Sequence, residues 1–186
     1  MSFIDRRLFL LTAGATGALA ACGSGADAQD ATSTAIDADL FADARIVPMG
    51  EEEIDYASKS EGWWRERLSR EQFRILRQEG TERAGTSALN AEERRGIYVC
   101  AGCALPLFSS RTKFESGTGW PSFWAPLDGA LDTKPDYRLW TPRTEYHCAR
   151  CGGHQGHVFD DGPRPTGQRW CNNGVALAFV PHPSQA

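Results

Sequence analysis

The sequence has no apolar run of the roughly 18 to 20 residues that a membrane-spanning helix requires. Its weakly apolar stretch at residues 8–21 is shorter and rich in alanine and glycine. A basic run is also missing, because 20 lysines and arginines stand against 24 aspartates and glutamates, for a net charge of −4. These absences exclude an ordinary transmembrane protein and argue against a nucleic-acid partner. The 186 residues suffice for one globular domain with a tail, but not for two large domains.

The start of the chain predicts export. Arg6 and Arg7 precede the apolar stretch, which is the form of a secretory signal. The pair resembles the twin-arginine export motif, although Asp5 stands where that motif usually has Ser or Thr. Residues 19–22 resemble a bacterial lipobox, in which Cys22 is lipidated and becomes the first residue of the mature chain. An ordinary signal cleaved just before this cysteine is the alternative.

Three segments follow from this interpretation. Residues 1–21 are expected to be a signal peptide, and residues 22–45, which are mostly small or polar, a flexible tether. Residues 46–183 are expected to form the single folded domain. We therefore expect a monomer on the periplasmic side of a bacterial membrane, held there by a lipid anchor alone.

Two short helices are predicted to open the domain. Ser58 with Glu61, and Ser69 with Gln72, have the spacing of capping boxes, and each precedes apolar residues at helical intervals. Gly80 fits the carboxyl-terminal cap of the second helix.

Beyond these helices the pattern changes to short apolar runs interrupted by glycine, proline, aspartate and serine. Such runs predict strands, and they lie at residues 97–99, 120–124, 137–140, 157–159 and 175–180. No alternation of strands with helices is visible. The expected fold is mainly β, with antiparallel sheets, short amino-terminal helices and a four-cysteine zinc site.

The zinc prediction comes from two Cys-x-x-Cys pairs, Cys100 with Cys103 and Cys148 with Cys151. Four thiolates in two such turns match tetrahedral Zn²⁺, and they leave no open coordination position, so one structural zinc per chain is expected. Two disulfides are an alternative in an oxidising compartment. Iron uses the same ligand spacing and is a second alternative.

Cys171 is the thiol that remains once lipidation takes Cys22 and the metal takes four. Arg169 lies two residues before it, and a cationic neighbour favours the nucleophilic thiolate. His154 and His157 stand three residues apart nearby. Composition alone leaves these histidines open as metal ligands, catalytic groups or buried core residues.

Several longer motifs resemble the B-type methionine sulfoxide reductases. They lie at residues 80–83, 98–103, 113–123, 148–167 and 169–173, in the order of that family. The resemblance covers about residues 50 to 180. It implies thiol-dependent reduction of the R epimer of methionine sulfoxide, free or in proteins, on a mainly β fold with a structural zinc.

The resemblance also implies residue roles. Cys171 would attack the sulfoxide sulfur and become a sulfenic acid, while the other catalytic positions are His154, His157, Arg169, Asn173 and Asp161. The histidines would protonate or hydrogen-bond the departing oxygen, and Arg169 would stabilise the thiolate. The substrate would contact Trp120, Trp170 and Phe159.

The sequence departs from the family pattern at a few positions. Thr118 stands where many relatives have a second, resolving cysteine. The sulfenic acid would then be reduced by an outside thiol, such as a thioredoxin-like or other exported carrier, or by a cysteine freed from elsewhere. Further departures are Gln155, Trp170, Asn172 and Gly174, which bear on substrate preference and rate.

Two other functions are alternatives to the repair of oxidised exported proteins. One is a zinc-stabilised interaction module without catalysis, and the other is a thiol peroxidase that uses Cys171.

Overall fold

A computed structural model describes residues 54–183. The described part of the chain begins with two helices, α1 (Glu61–Arg67) and α2 (Arg70–Gln78). Nine strands follow: β1 (Gly96–Cys100), β2 (Pro106–Ser109), β3 (Lys113–Phe114), β4 (Ser122–Phe123), β5 (Leu131–Asp136), β6 (Arg143–Cys148), β7 (His154–Phe159), β8 (Arg169–Asn172) and β9 (Leu177–Pro181). The predicted signal, the lipidation of Cys22 and the predicted tether lie outside the described residues.

The strands form two antiparallel sheets. One has three strands in the order β2-β1-β9, and the other has six in the order β3-β4-β8-β7-β6-β5. This confirms the predicted mainly β fold with short amino-terminal helices. No helix between residues 54 and 183 is long and apolar enough to cross a bilayer.

The helices begin at serine caps. The prediction for α2 is confirmed, because the Ser69 side chain accepts the Gln72 backbone N–H and the Gln72 side chain accepts the Ser69 N–H. For α1 the predicted cap at Ser58 is wrong. Ser60 caps this helix, and its hydroxyl accepts the Trp63 N–H at 3.2 Å, because the chain reaches helical geometry two residues later than the Ser58 spacing suggests.

The end of α2 also differs from its prediction. The left-handed residue is Glu79, with φ of 52°, and not Gly80. Gly80 follows it and donates its N–H to the Arg74 carbonyl at 3.0 Å. A Cβ at Gly80 would lie 2.9 Å from that carbonyl oxygen, so the glycine is required by the close approach of the backbone rather than by its φ.

The strand predicted at residues 137–140 is wrong. Strand β5 ends at Asp136, whose carboxylate accepts the backbone N–H of Arg138 at 2.9 Å. This side-chain bond to the backbone two residues later turns the chain. Residues 137–142 are therefore the loop of the β5–β6 hairpin. The run at residues 175–180 begins with a 3₁₀ turn, Gly174–Ala176, before β9.

Aromatic side chains join the two sheets into one core. Phe108 of β2 stacks on Phe123 of β4, with ring centroids 4.1 Å apart, and Tyr98 of β1 meets Phe123 edge-on. Trp64 and Leu76 of the helices are buried in the same cluster. Full burial of such a side chain contributes roughly 1.5–3 kcal/mol. The helices thus cover a core shared by both sheets.

Candidate active site and metal centre

A row of polar side chains crosses one face of the six-stranded sheet. Ser122 in β4 pairs with Cys171 in β8, which pairs in turn with His157 in β7. His157 also pairs with Glu145 in β6, and Glu145 pairs with Lys134 in β5. Residues directly opposite each other on antiparallel strands share a face, with Cβ atoms roughly 4.5–5.5 Å apart. Strand pairing therefore brings a thiol, an imidazole, a carboxylate and an ammonium group together.

A β-bulge in β7 places His154 on this face as well. On a regular strand, side chains three residues apart point to opposite faces. The register of β7 against β6 shifts between His154 and Gly156, which leaves Gln155 as an extra residue. His154 Nδ1 consequently lies 2.9 Å from Glu145 Oε1, and its ring centroid is 5.5 Å from that of His157.

Asp136 orients His157. The Nε2 of His157 donates to Asp136 Oδ2 at 2.8 Å, and Arg143 donates to the same oxygen at 2.6 Å. The backbone N–H of Arg138, followed by these two side chains, holds the pKa of Asp136 below its usual range. Burial lowers the pKa of both His157 and His154. Both imidazoles are therefore neutral near pH 7, and each is positioned by a carboxylate.

Asp136 and Glu145 are site residues that the sequence does not reveal. Each is an acidic residue in a strand, and such a residue gives no local signal. Only the pairing of β5, β6 and β7 shows that one contacts His157 and the other His154.

Cys171 lies half-buried in a mixed environment. Burial raises the pKa of its thiol, while Arg169 and a hydrogen bond from the Thr118 hydroxyl act in the opposite direction. The expected help from Arg169 is therefore present but smaller than the effect of burial. Arg169 itself is held by Asp161 through two bonds, Nε to Oδ1 at 2.8 Å and Nη2 to Oδ2 at 2.9 Å.

A cavity of about 110 Å³ opens beside the Cys171 sulfur. It is lined by Thr81, Trp120, Arg143, Gly156, His157, Phe159, Cys171, Asn172 and Asn173. Trp120 and Phe159 supply its aromatic part, and the Trp120 indole N–H donates to the Glu82 carbonyl at 3.3 Å.

Four of the predicted site residues do not line this cavity: Trp170, His154, Arg169 and Asp161, the last two of which bond each other. Trp170, predicted to contact substrate, points to the opposite face of β8, where its ring meets that of Tyr146 at 5.0 Å. Adjacent residues on a strand alternate between faces, so Trp170 and Cys171 cannot share one. His154 lies behind His157, buried against Glu145.

Buried amides fix the residues that follow the nucleophile. The Gln155 carbonyl accepts both the backbone N–H of Asn173 at 2.8 Å and its Nδ2 at 2.9 Å. Asn172 Nδ2 donates to Gln155 Oε1 at 3.3 Å, and Tyr146 donates its hydroxyl to Asn172 Oδ1 at 2.9 Å. Two of the departures from the family pattern, Gln155 and Asn172, thus satisfy each other's buried polar atoms.

Glu82 is a further residue that holds this region together. It is 2% exposed, and its carboxylate accepts the N–H groups of Gly174 at 2.7 Å and Val175 at 2.9 Å, at the start of the 3₁₀ turn. Its own N–H donates to Asn173 Oδ1 at 2.9 Å. Glu82 thus links the cavity's aromatic wall at Trp120 to the end of β8.

Two glycines permit close contacts around the nucleophile. A Cβ at Gly156 would lie 1.9 Å from the Cys171 carbonyl oxygen, so only glycine allows β7 and β8 to approach this closely. A Cβ at Gly174 would lie 1.9 Å from the Ser87 Oγ. Gly174, one of the departures from the family pattern, therefore has a packing reason, since Ser87 occupies the space.

The four predicted metal ligands converge on one point. Cys100 ends β1 and Cys148 ends β6, so each sheet contributes one Cys-x-x-Cys pair, completed by Cys103 and Cys151. Their Sγ atoms all lie within 4.8 Å of one another, with Cys100 to Cys151 at 3.7 Å and Cys103 to Cys148 at 3.4 Å. Disulfide sulfurs would be about 2.05 Å apart. Tetrahedral Zn–S bonds of about 2.3 Å imply S···S separations near 3.8 Å, which these distances fit.

The metal centre and the nucleophile strand share one side chain. Gln155 Nε2 donates to Cys100 Sγ at 3.4 Å, while the Oε1 of the same side chain accepts from Asn172. A thiolate bound to a metal remains a hydrogen-bond acceptor, so this donor suits a loaded site. The cluster contains no histidine, which removes His154 and His157 from the possible ligands.

Comparison with known proteins places the chain among sulfoxide reductases. A family profile described as the SelR domain matches residues 68–181, a range that contains the four metal cysteines and every residue lining the cavity. The peptide methionine sulfoxide reductase MsrB of Leptospira interrogans is 54% identical over 123 residues, which is 66% of this chain and 94% of that protein.

Two other similar proteins are also methionine sulfoxide reductases. MsrB of Hahella chejuensis is 48% identical over 127 residues, 68% of this chain and 91% of that protein. The chloroplastic peptide methionine sulfoxide reductase B1 of Arabidopsis thaliana is 51% identical over 127 residues, 68% of this chain and 63% of that protein.

Proposed function

The chain belongs to the SelR family and is a peptide-methionine (R)-S-oxide reductase, and on this premise we propose that Cys171 is the nucleophile of the reaction. The observation that carries the proposal is the position of its sulfur, at the wall of a cavity that also presents Trp120 and His157. Within the described part of the chain, every other cysteine lies in the metal cluster.

The cavity suits one methionine sulfoxide side chain. Trp120 and Phe159 offer apolar surface to the substrate methyl group. His157, whose Nε2–H is held by Asp136, can donate to the sulfoxide oxygen from Nδ1 when its imidazole is protonated. The Cys171 sulfur attacks the sulfoxide sulfur and finally carries its oxygen as a sulfenic acid, which releases methionine. The enzyme sulfur is oxidised by two electrons as the substrate sulfur is reduced by two.

Four predicted catalytic residues have positioning or electrostatic roles in this proposal: His154, Arg169, Asp161 and Asn173. Arg169, held by Asp161, favours the thiolate electrostatically, and Asn173 fixes the chain after the nucleophile. His154 and Glu145 support the imidazole of His157 from behind. The structural zinc, when bound to its four cysteines, ties the two sheets together and has no open position for substrate.

The second half of the cycle requires an outside thiol. Thr118 contacts the Cys171 sulfur, so the group beside the sulfenic acid is a hydroxyl rather than a thiol. Two external thiols would reduce the sulfenic acid to the Cys171 thiol, with release of water and formation of one external disulfide. A thioredoxin-like carrier fits this step.

Turnover of separated sulfoxide epimers tests the function. With dithiothreitol as the reductant, we expect the protein to reduce methionine (R)-sulfoxide and to leave the S epimer unchanged, because the aromatic wall and the donor group lie at fixed positions around one sulfur. Product methionine is measured by chromatography. Equal reduction of both epimers, or faster turnover of hydrogen peroxide than of either sulfoxide, would contradict the proposal and favour a thiol peroxidase.

We further propose that the enzyme repairs oxidised proteins outside the cytoplasm, on the periplasmic side of a membrane. The support is the lipobox-like sequence at residues 19–22 and the arginine pair before it. We expect the full chain expressed in a bacterium to fractionate with membranes and Cys22→Ala to fractionate elsewhere, since a diacylated cysteine anchors firmly. Cytoplasmic, soluble wild-type protein that retains residues 1–21 would refute this localisation.

A further inference from the structure

The loop of the β5–β6 hairpin, residues 137–142, exposes an apolar patch. Tyr137 is 74% exposed, Leu139 is 56% exposed and Trp140 is fully exposed, and these are the large apolar side chains exposed between residues 54 and 183. Single exposed apolar residues are ordinary, but three within four positions form a patch of the kind that marks an interaction surface.

The polar groups of the same hairpin are turned toward the protein. The Arg138 guanidinium bonds the Glu79 carboxylate and, at 3.3 Å, the Glu79 carbonyl at the end of α2. The Arg138 N–H and the Arg143 guanidinium both donate to Asp136. The hairpin is therefore tied to the domain by its charged residues while its apolar residues face water, which reverses the usual arrangement.

Both ends of the loop that carries the patch lie at the catalytic site. Arg143, where the loop re-enters β6, lines the cavity, and Asp136, where the loop leaves β5, bonds His157. The three exposed side chains thus lie in a loop whose two ends contact the catalytic site.

The small size of the cavity leaves the rest of a protein substrate on the surface around it. Pockets for whole drug-sized ligands measure roughly 300–1,000 Å³, and this one measures about 110 Å³. It can take the sulfoxide side chain but not the chain on either side of it. Oxidation makes a core methionine polar and disrupts packing, so a protein oxidised in its core exposes apolar residues that are buried in its folded form.

We propose that Tyr137, Leu139 and Trp140 bind the apolar residues that flank an oxidised methionine in an unfolded polypeptide. The inference rests on the proposed function and specifies its substrate class. Tyrosine and tryptophan supply a large contact area with few torsions to freeze, which suits a surface that must accept many sequences.

Single-turnover kinetics of the full chain, without reductant and with enzyme in excess, test this proposal. The substrates are N-acetyl-methionine (R)-sulfoxide and two peptides of equal length, one with Leu and Phe beside the sulfoxide and one with Gly and Ser. In the triple variant Tyr137→Ser, Leu139→Ser, Trp140→Ser, the second-order rate constant for the apolar peptide is expected to fall by about tenfold or more. The small substrate and the Gly/Ser peptide are expected to react within about twofold of wild type, and Trp140→Phe is the matched apolar control.

The results that would overturn the patch proposal differ from the result that would overturn the proposed function. A parallel loss on all three substrates, or no loss on any, would overturn the proposal. A loss that appears only when multiple turnovers are driven by thioredoxin would assign the patch to the reductant and also overturn it. If the wild type reduces none of the three substrates, the proposed function fails instead. An unchanged melting temperature establishes that the variants remain folded.

Discussion

The Cys171→Ser variant is expected to lose methionine sulfoxide reduction by at least about 10³-fold, equivalent to about 4 kcal/mol of transition-state stabilisation. A serine hydroxyl has nearly the same shape, but it ionises far less readily and cannot carry the sulfoxide oxygen as a sulfenic acid. Steady-state methionine release with dithiothreitol measures the loss. Because Cys171 lies outside the metal cluster, zinc content and melting temperature are expected to match the wild type.

Mass spectrometry after one turnover examines the same step directly. Without reductant, wild-type protein is expected to gain one oxygen at Cys171 and to form no disulfide, because Thr118 occupies the contact with its sulfur. Thr118→Cys is a positive control in which a disulfide can form at that contact. Residual activity of Cys171→Ser near the wild-type rate, or oxidation confined to another cysteine, would show that the nucleophile lies elsewhere.

Loss of the metal site is expected to lower the stability of the domain severely. Zinc binding contributes about 10–16 kcal/mol in zinc-finger peptides at neutral pH, whereas whole domains are stable by only about 5–15 kcal/mol. Replacing Cys148 with Ser removes one of four ligands that join the two sheets. We expect this variant to lose its zinc and either to fail to fold or to melt about 20 °C or more below wild type.

Thermal unfolding with parallel metal analysis measures the effect. Cys171→Ser is the matched control, because it removes one thiol from the same domain without removing a ligand. A Cys148→Ser protein that melts at the wild-type temperature without bound zinc would refute a structural role for the metal.

Features encoded within a few residues could be predicted from the sequence. The two Cys-x-x-Cys pairs specify the metal ligands because each turn brings its own two sulfurs together. The capping box at Ser69 is equally local, since all its bonds lie within four residues. At α1, by contrast, Ser58 and Ser60 both offer a hydroxyl, and the choice depends on where Trp64 packs into the core.

Features that depend on strand pairing could not be predicted. Trp170 neighbours Cys171 in sequence, but its side chain faces the core. The face to which this side chain points is determined by how β8 pairs with its neighbouring strands, and the motif alone does not reveal it. Residues 137–140 have the composition of a strand, yet the bond from Arg138 to Asp136 turns them into an exposed loop. Asp136 contacts His157 across 21 positions of sequence.

The hydrogen bond between Gln155 and Asn172 constrains how this sequence can change over evolutionary time. An apolar residue at either position alone would leave a buried polar atom of the other amide without its partner, at a cost of about 1–3 kcal/mol. Apolar residues at both positions would still leave the buried Tyr146 hydroxyl without its acceptor, so a change at this pair requires a compensating change at Tyr146. Gln155 also donates a hydrogen bond to Cys100. A substitution at Gln155 would therefore affect both a metal ligand and the strand that carries the nucleophile.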